Sequence, residues 1–383
     1  MKKITFPAVL SLLVFVAAFD VSVFAQTGGL RVASGVRLPE GDSVLVDGLR
    51  GWLEAVSGPD SLNRYVAEED RPAMAVLTGQ LRRLKGQCWL GGVTPLDSVH
   101  WQIQLNYMSI HKDTPSLEAC CTVLARREGG RCLVSSPLAE HTASWKQKTI
   151  GCCTFHYPST INFRKAAEFE RLVESYDQRL KIAKPVIDFY CCGNFMEAAK
   201  LVGIDYMSSF GGFGYADVSN DYGLHQVIVC GNVWKDGFST ISMHDMWHGE
   251  LHRAVSTKVI NRPVDEGMAY LYGGSWVTYD WKDILKLMKD YRASHPDADW
   301  LALYKDGTNV IPPPKIIKIS YIINALIVQR LEKEHGFAAS LPLLCCGPKQ
   351  AGDANYFAAL RTVTGVDEAH FNAYIDGLVK DAL

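Results

Sequence analysis

Two histidines four residues apart, His244 and His248, and a glutamate at position 266 are the residues whose types and spacing point most directly to chemistry. On an α-helix, side chains four apart stand on one face with Cβ atoms about 5–6 Å apart, so both imidazoles can share one metal ion. A carboxylate delivered by the following helix completes a set of two histidines and one glutamate. Zinc takes this donor set when its fourth position is left to water. The histidine pair alone says little, because 11 His in 383 residues yield HxxxH by chance roughly 0.3 times. The carboxylate of Asp245 directly after the first histidine, and a helix start at Pro263-Val264-Asp265-Glu266-Gly267, make coincidence far rarer.

His244-Asp245-Met246-Trp247-His248 and Asp265-Glu266-Gly267-Met268-Ala269-Tyr270, with 17 residues between His248 and Glu266, resemble the signature of the gluzincin metallopeptidases. That signature is HExxH followed by glutamate in an (N/S/D)EG(hydrophobic)A helix. Residues 146–383 are similar to the peptidase-MA-like proteins of secreted bacterial origin. The resemblance implies zinc held by His244, His248 and Glu266, a peptide or protein substrate, and Asp245 as general base. It also implies a sheet-edge strand above the metal where substrate backbone adds, placed at Leu224–Cys230. The oxyanion donor it implies is Tyr321, at the start of a long apolar helix ending at Gly336, with Tyr270 and Tyr272 as alternatives. His248 and His252 form a rival register, but only His244 and His248 have an acidic neighbour at the base position, directly after the first histidine, and leave family-like spacing to Glu266.

One departure bears on activity. The family's catalytic glutamate is Asp245 here, one methylene or roughly 1.5 Å shorter, and misplacement by about 1 Å costs on the order of 100-fold in rate. Two functions therefore follow from one motif: a zinc-dependent hydrolase whose activated water attacks a peptide carbonyl, or an impaired pseudopeptidase that binds zinc and peptides. No Gly-x-Met-Glu-Asn amine-binding segment precedes His244, which favours endopeptidase action.

Lys2 and Lys3, an apolar run from Ala8 to Phe19 and a Val23-Phe24-Ala25 end predict a signal peptide over residues 1–25. The run falls short of the roughly 20 residues a membrane helix needs, and no later segment reaches that length without charge. A secreted or periplasmic protein without an integral membrane segment is the expectation. Roughly 358 residues then remain, enough for two domains. Net charge is −2 with scattered Lys and Arg, which argues against nucleic acid as a partner. Eight of the 11 cysteines lie in adjacent pairs, at 120–121, 152–153, 191–192 and 345–346. Strand neighbours point to opposite faces, so each strand pair should bury one thiol and expose the other, the cysteines serving mainly as small apolar fillers. One or two disulfides between distant members stay open.

The fold class expected is α+β. Residues 26–145 form a small α+β domain, NTF2-like or cystatin-like: helical periodicity within 30–85, then period-two strands from Trp89 to about Leu138. Residues 146–383 form the gluzincin-like domain, with a small mixed sheet, an active-site helix and a C-terminal helical subdomain. Its expected elements are strands in KTIGCCTFHYP, PVIDFYCCGN and HQVIVCG, and helices over Asn162–Lys181, NFMEAAKLVG and most of the chain beyond Pro263. The Gly- and Ser-rich stretch SSFGGFGYADVSNDYG reads as a loop, and Pro312-Pro313-Pro314 as a rigid one.

Overall fold

The computed structural model describes residues 29–39, 42–56, 64–210, 217–231, 242–276 and 278–382. The segment expected to be a signal peptide lies outside them. Mixed α and β structure is observed, with two mixed sheets and a helical C-terminal half. No helix among the described residues is long and apolar enough to cross a membrane.

The first sheet is built from β1 (Arg31–Val32), β2 (Gln87–Pro95), β3 (His100–His111), β4 (Thr114–Glu128) and β5 (Arg131–Ser135), hydrogen-bonded in that order. Strict alternation in β3 buries Trp101, Ile103, Leu105 and Tyr107 on one face, and helices Ser43–Ala55 and Arg71–Leu81 cover the resulting core with Leu49, Trp52, Met74 and Leu77. A later strand, β9 (Ile204–Met207), pairs antiparallel with the middle of β4, and Val218, Val227 and Val229 enter the same core. The first core thus draws side chains from both sides of residue 145.

The second sheet runs β10 (Asp217–Tyr222), β11 (His225–Cys230), β8 (Val186–Cys191), β7 (Cys153–Tyr157), β6 (Lys146–Ile150). KTIGCCTFHYP is not one strand but a hairpin, β6 turning into β7 through Gly151 at φ +56°. The expected loop also resolves differently, because its second half is β10, antiparallel to β11 across Gly223-Leu224. Its polar composition hid the strand; only Val218 is apolar and deeply buried, on the face that meets the first core. In consequence β11 is an inner strand between β10 and β8, and among the described residues the edge on this side of the sheet belongs to β10 rather than to Leu224–Cys230.

Placement between two cores also settles the cysteines. All eleven are free thiols. Cys120/Cys121 and Cys152/Cys153 split into partly and fully buried members as alternation requires, but Cys191 and Cys192 are both buried. Cys191 faces the core under helix Phe163–Leu180 and Cys192 faces the first core, so neither side of this strand end is solvent.

Three helices carry the candidate site: a histidine helix (Met243–Ala254), a glutamate helix (Arg262–Gly273) and a tyrosine helix (Ile319–His335). Ser242 caps the first, its Oγ accepting from Asp245 N at 3.2 Å, and Pro263 opens the second at a position where its missing N–H costs nothing. The tyrosine helix is apolar nearly all round and forms the axis of the C-terminal core. Behind the histidine helix, Glu250 and Asp177 of Phe163–Leu180 are almost fully buried with Arg253, which pairs with Glu250 and lies 3.6 Å from Asp177. Burial pushes Glu250 up to about 8, although Arg253 pulls it down, and raises Asp177 as well.

Removing the cation from such a buried group costs about 3–5 kcal/mol. Arg253→Met should therefore lose about that much unfolding free energy in urea titration at pH 8. The deficit should shrink as pH falls below about 8, because Glu250 then takes up a proton and leaves less buried negative charge without its cation; a loss that does not change with pH would refute this account.

Candidate metal centre

The histidine and glutamate helices approach at backbone level, and glycine makes that possible. A Cβ on Gly273 would stand 2.5 Å from the backbone of Met243 and His244. One on Gly267 would stand 2.7–2.8 Å from Tyr321 O, Asn324 Cβ and Ala325 N of the tyrosine helix. The glutamate helix is thereby pinned on one side to the start of the histidine helix and on the other to the tyrosine helix. Glu266, next to Gly267, is carried to the histidines.

His244 Nε2 lies 3.2 Å from His248 Nε2 and 3.4 Å from Glu266 Oε2, and His248 Nε2 lies 4.0 Å from the same carboxylate oxygen. Bonds of 2.0–2.1 Å to a tetrahedral zinc require ligand atoms about 3.3 Å apart, so this triangle fits one ion with little adjustment. The other ring nitrogens are tied down. His244 Nδ1 donates to Gly274 O at 2.9 Å, and His248 Nδ1 to Asp265 Oδ1 at 2.8 Å. With each Nδ1 donating outward, both Nε2 atoms are turned toward the same point, which is the outer-sphere arrangement that fixes histidine ligands for a metal.

The charges agree with this picture. Burial pushes the His244 imidazole down, but the Glu266 carboxylate, the Gly274 carbonyl and Asp245 outweigh it and hold it above the ordinary histidine value. Burial likewise pushes Glu266 up, yet the hydrogen bond from His244 and the positive potential of His248 and Arg262 bring it below the usual carboxylate range. Arg262 Nε approaches Glu266 Oε1 at 3.3 Å, leaving Oε2 toward the histidines.

Each residue singled out in the sequence has a definite place. His244, His248 and Glu266 converge, and Asp245 is exposed at the mouth of a cleft of about 480 Å³ that also reaches Asp217, Gly249 and His252. Tyr321 is half-buried against Tyr270, ring centroids 5.6 Å apart. Burial raises its hydroxyl pKa and the nearby Glu266 raises it further, while Arg262 lowers it. Tyr270 and Tyr272 are otherwise engaged: the Tyr270 hydroxyl accepts from Lys318 N at 3.4 Å, and the Tyr272 hydroxyl donates to Glu332 at 2.8 Å. The rival register is present as a second, more exposed group, with His252 Nε2 3.3 Å from Asp265 Oδ2. It would need His248 Nδ1, which already donates to Asp265, and so has no outer partner of its own.

Asp265 and the Gly274 carbonyl are the members that sequence reasoning left without a role. Asp265 had a signal, since the residue before Glu266 sits one helical step away and can reach the second histidine. The carbonyl had none, because a backbone acceptor leaves no trace in residue type. No family model matches the chain, and no curated protein matches it.

His244→Ala or Glu266→Ala should abolish stoichiometric zinc in elemental analysis of purified protein. Asp265→Ala should retain the site and weaken zinc roughly 10- to 100-fold in competition with a chelator, as expected for a lost outer partner. Undiminished zinc in both ligand variants would refute the assignment.

Proposed function

We propose that this protein is an exported zinc-dependent peptide-bond hydrolase of gluzincin type. The observation that carries the reading is the convergence of two tethered imidazoles and one carboxylate on a single point beside an open cleft. Bound there, zinc supplies Lewis acidity, acidifying water and polarising a carbonyl oxygen.

The protein's own residues do the rest. Asp245, in the first turn of the histidine helix and open to the cleft, takes the proton of the attacking water. Tyr321, whose hydroxyl remains protonated well above neutral pH, donates to the oxygen that becomes negative in the tetrahedral intermediate. The far edge of β10 has no strand partner among the described residues, so an extended polypeptide can lie along it with its backbone hydrogen-bonded. That makes a peptide the natural occupant of the cleft.

A second reading rests on the short reach of Asp245, which would leave a zinc- and peptide-binding module with little turnover. The two are separated by digestion of a mixed peptide library with zinc-loaded protein. Asp245→Glu restores the methylene and should raise hydrolysis by one or more orders of magnitude if the rest of the site is competent. A wild-type enzyme that is fully active, and slowed by the change, would mean that the surrounding fold is fitted to aspartate. Tyr321→Phe should keep zinc and fold while kcat drops about 100- to 1000-fold with KM little changed; near-native kcat would remove Tyr321 from the mechanism.

A further inference from the structure

The cleft lined by Asp245, the neighbour of the candidate ligand His244, does not end at the second sheet. Arg83, Asp217 and Ser219 line both that cleft and a larger groove of about 1090 Å³ that continues across the first sheet. The junction is therefore shared by β10 and by the segment after helix Arg71–Leu81. That segment is held firmly. Arg82 Nε donates to Val56 O at 2.5 Å, and Gly86, at φ +139°, lies so close to β3 that a Cβ would stand 2.4 Å from Met108 O. Of the two adjacent arginines, Arg82 is thus tied to the helix before it, and Arg83 is exposed at the junction.

Charge along this path is uneven. Arg83, Lys85 and His111 stand exposed in the groove wall, and among the described residues neither Arg83 nor Lys85 makes an ion pair. Two carboxyls share this wall, and each has its own neighbours. Glu118 accepts hydrogen bonds from Ser109 and, at 2.8 Å, from Ser208, and these hold its carboxyl below the usual range. Burial pushes the Asp217 carboxyl in the opposite direction, with the nearby charge of Asp245 adding to the rise. Among the described residues Arg83 and Lys85 therefore have no carboxylate partner of their own, and an acidic side chain laid in the groove can supply one. Met108, Ile110 and Met207 supply apolar wall between them.

We infer that the groove binds the flanking part of an extended polypeptide substrate and that Arg83 selects an acidic side chain in it. The inference rests on the peptide-hydrolase reading for what lies in the cleft beside Asp245, but it concerns the groove beyond it. A peptide is favoured over a nucleic acid because Glu118 lines the same wall, the chain carries net charge −2, and the groove is lined by β10, whose outer edge has no strand partner among the described residues. Arg83 acts here in recognition and not in bond cleavage.

The test uses fluorescein-labelled peptides of about ten residues, identical except for Glu, Gln or Lys at one position scanned along them. Binding is followed by anisotropy with the mature chain, zinc-loaded and chelator-treated. An ion pair at an exposed site is worth up to about fivefold, so at one position the Glu peptide should bind about fivefold tighter than the Gln peptide, and more weakly as salt rises. Arg83→Gln should erase that preference. Arg83→Glu should turn it toward the Lys peptide, a reversal that an unfolded variant cannot produce. Equal binding of the three peptides to wild type, or a Glu preference that survives in Arg83→Gln, overturns the inference. So does a labelled thymidine oligonucleotide that binds more tightly than the Glu peptide. A Glu preference carried by Arg83 in protein that cleaves no peptide would support the groove assignment and refute the hydrolase reading.

Discussion

Two imidazole Nε2 atoms stand 3.2 Å apart, a separation at which two bare lone pairs repel and which a shared proton or a metal ion relieves, and the placing of the histidine and glutamate helices meets at this contact. It exists because each Nδ1 is committed to an acceptor, the Gly274 carbonyl for His244 and the Asp265 carboxylate for His248. Neither acceptor could stand where it does if the glutamate helix were farther away. The crossings at Gly273 and Gly267, where no side chain separates the backbones, set that distance. A methyl group at either would push against main chain, which cannot rotate aside as a side chain does.

The opposite face of the histidine helix is held by different means. Trp247 is fully buried and packs edge-on against Tyr176, 5.3 Å between centroids, while Tyr176 donates to Tyr272 O at 3.0 Å. Next to this apolar contact lie Glu250, Asp177 and Arg253, two carboxyls with one guanidinium. Such a cluster adds little net stability, since desolvation offsets most of the Coulomb attraction. Its geometric demand is stricter than that of apolar packing, and it holds the helix in register against Phe163–Leu180. The metal-facing side can then present His244 and His248 with little freedom of rotation.

The cleft owes its shape to the junction of the two sheets. β10 contributes Val218 to the first core and Asp217 and Ser219 to the cleft, so one strand serves as wall for both. Since β9 closes onto β4, the first sheet is completed by a segment that follows β8. The N-terminal segment is accordingly part of the surface that leads to Asp245, and Arg83 reaches the cleft from it.

Much of this was legible in the residues themselves. Period-two burial in β3 and β4, the 3.6-residue pattern of the C-terminal helices, and the histidine and glutamate spacing are local properties, and local geometry follows from local sequence. The candidate ligand set was legible for the same reason: helical pitch alone puts His244 and His248 on one face. What only tertiary structure decided is non-local. Polar β10 became a strand because β11 offered it a hydrogen-bonded edge, and that displaced β11 from the edge to the interior. Cys191 and Cys192 are both buried because cores lie on both sides of β8. The Gly274 carbonyl became the partner of His244, and Arg83 came to the cleft, through contacts between elements far apart in the chain. A sequence records which groups are present and how they repeat, whereas pairing across such distances is set by how the packed elements share their surfaces.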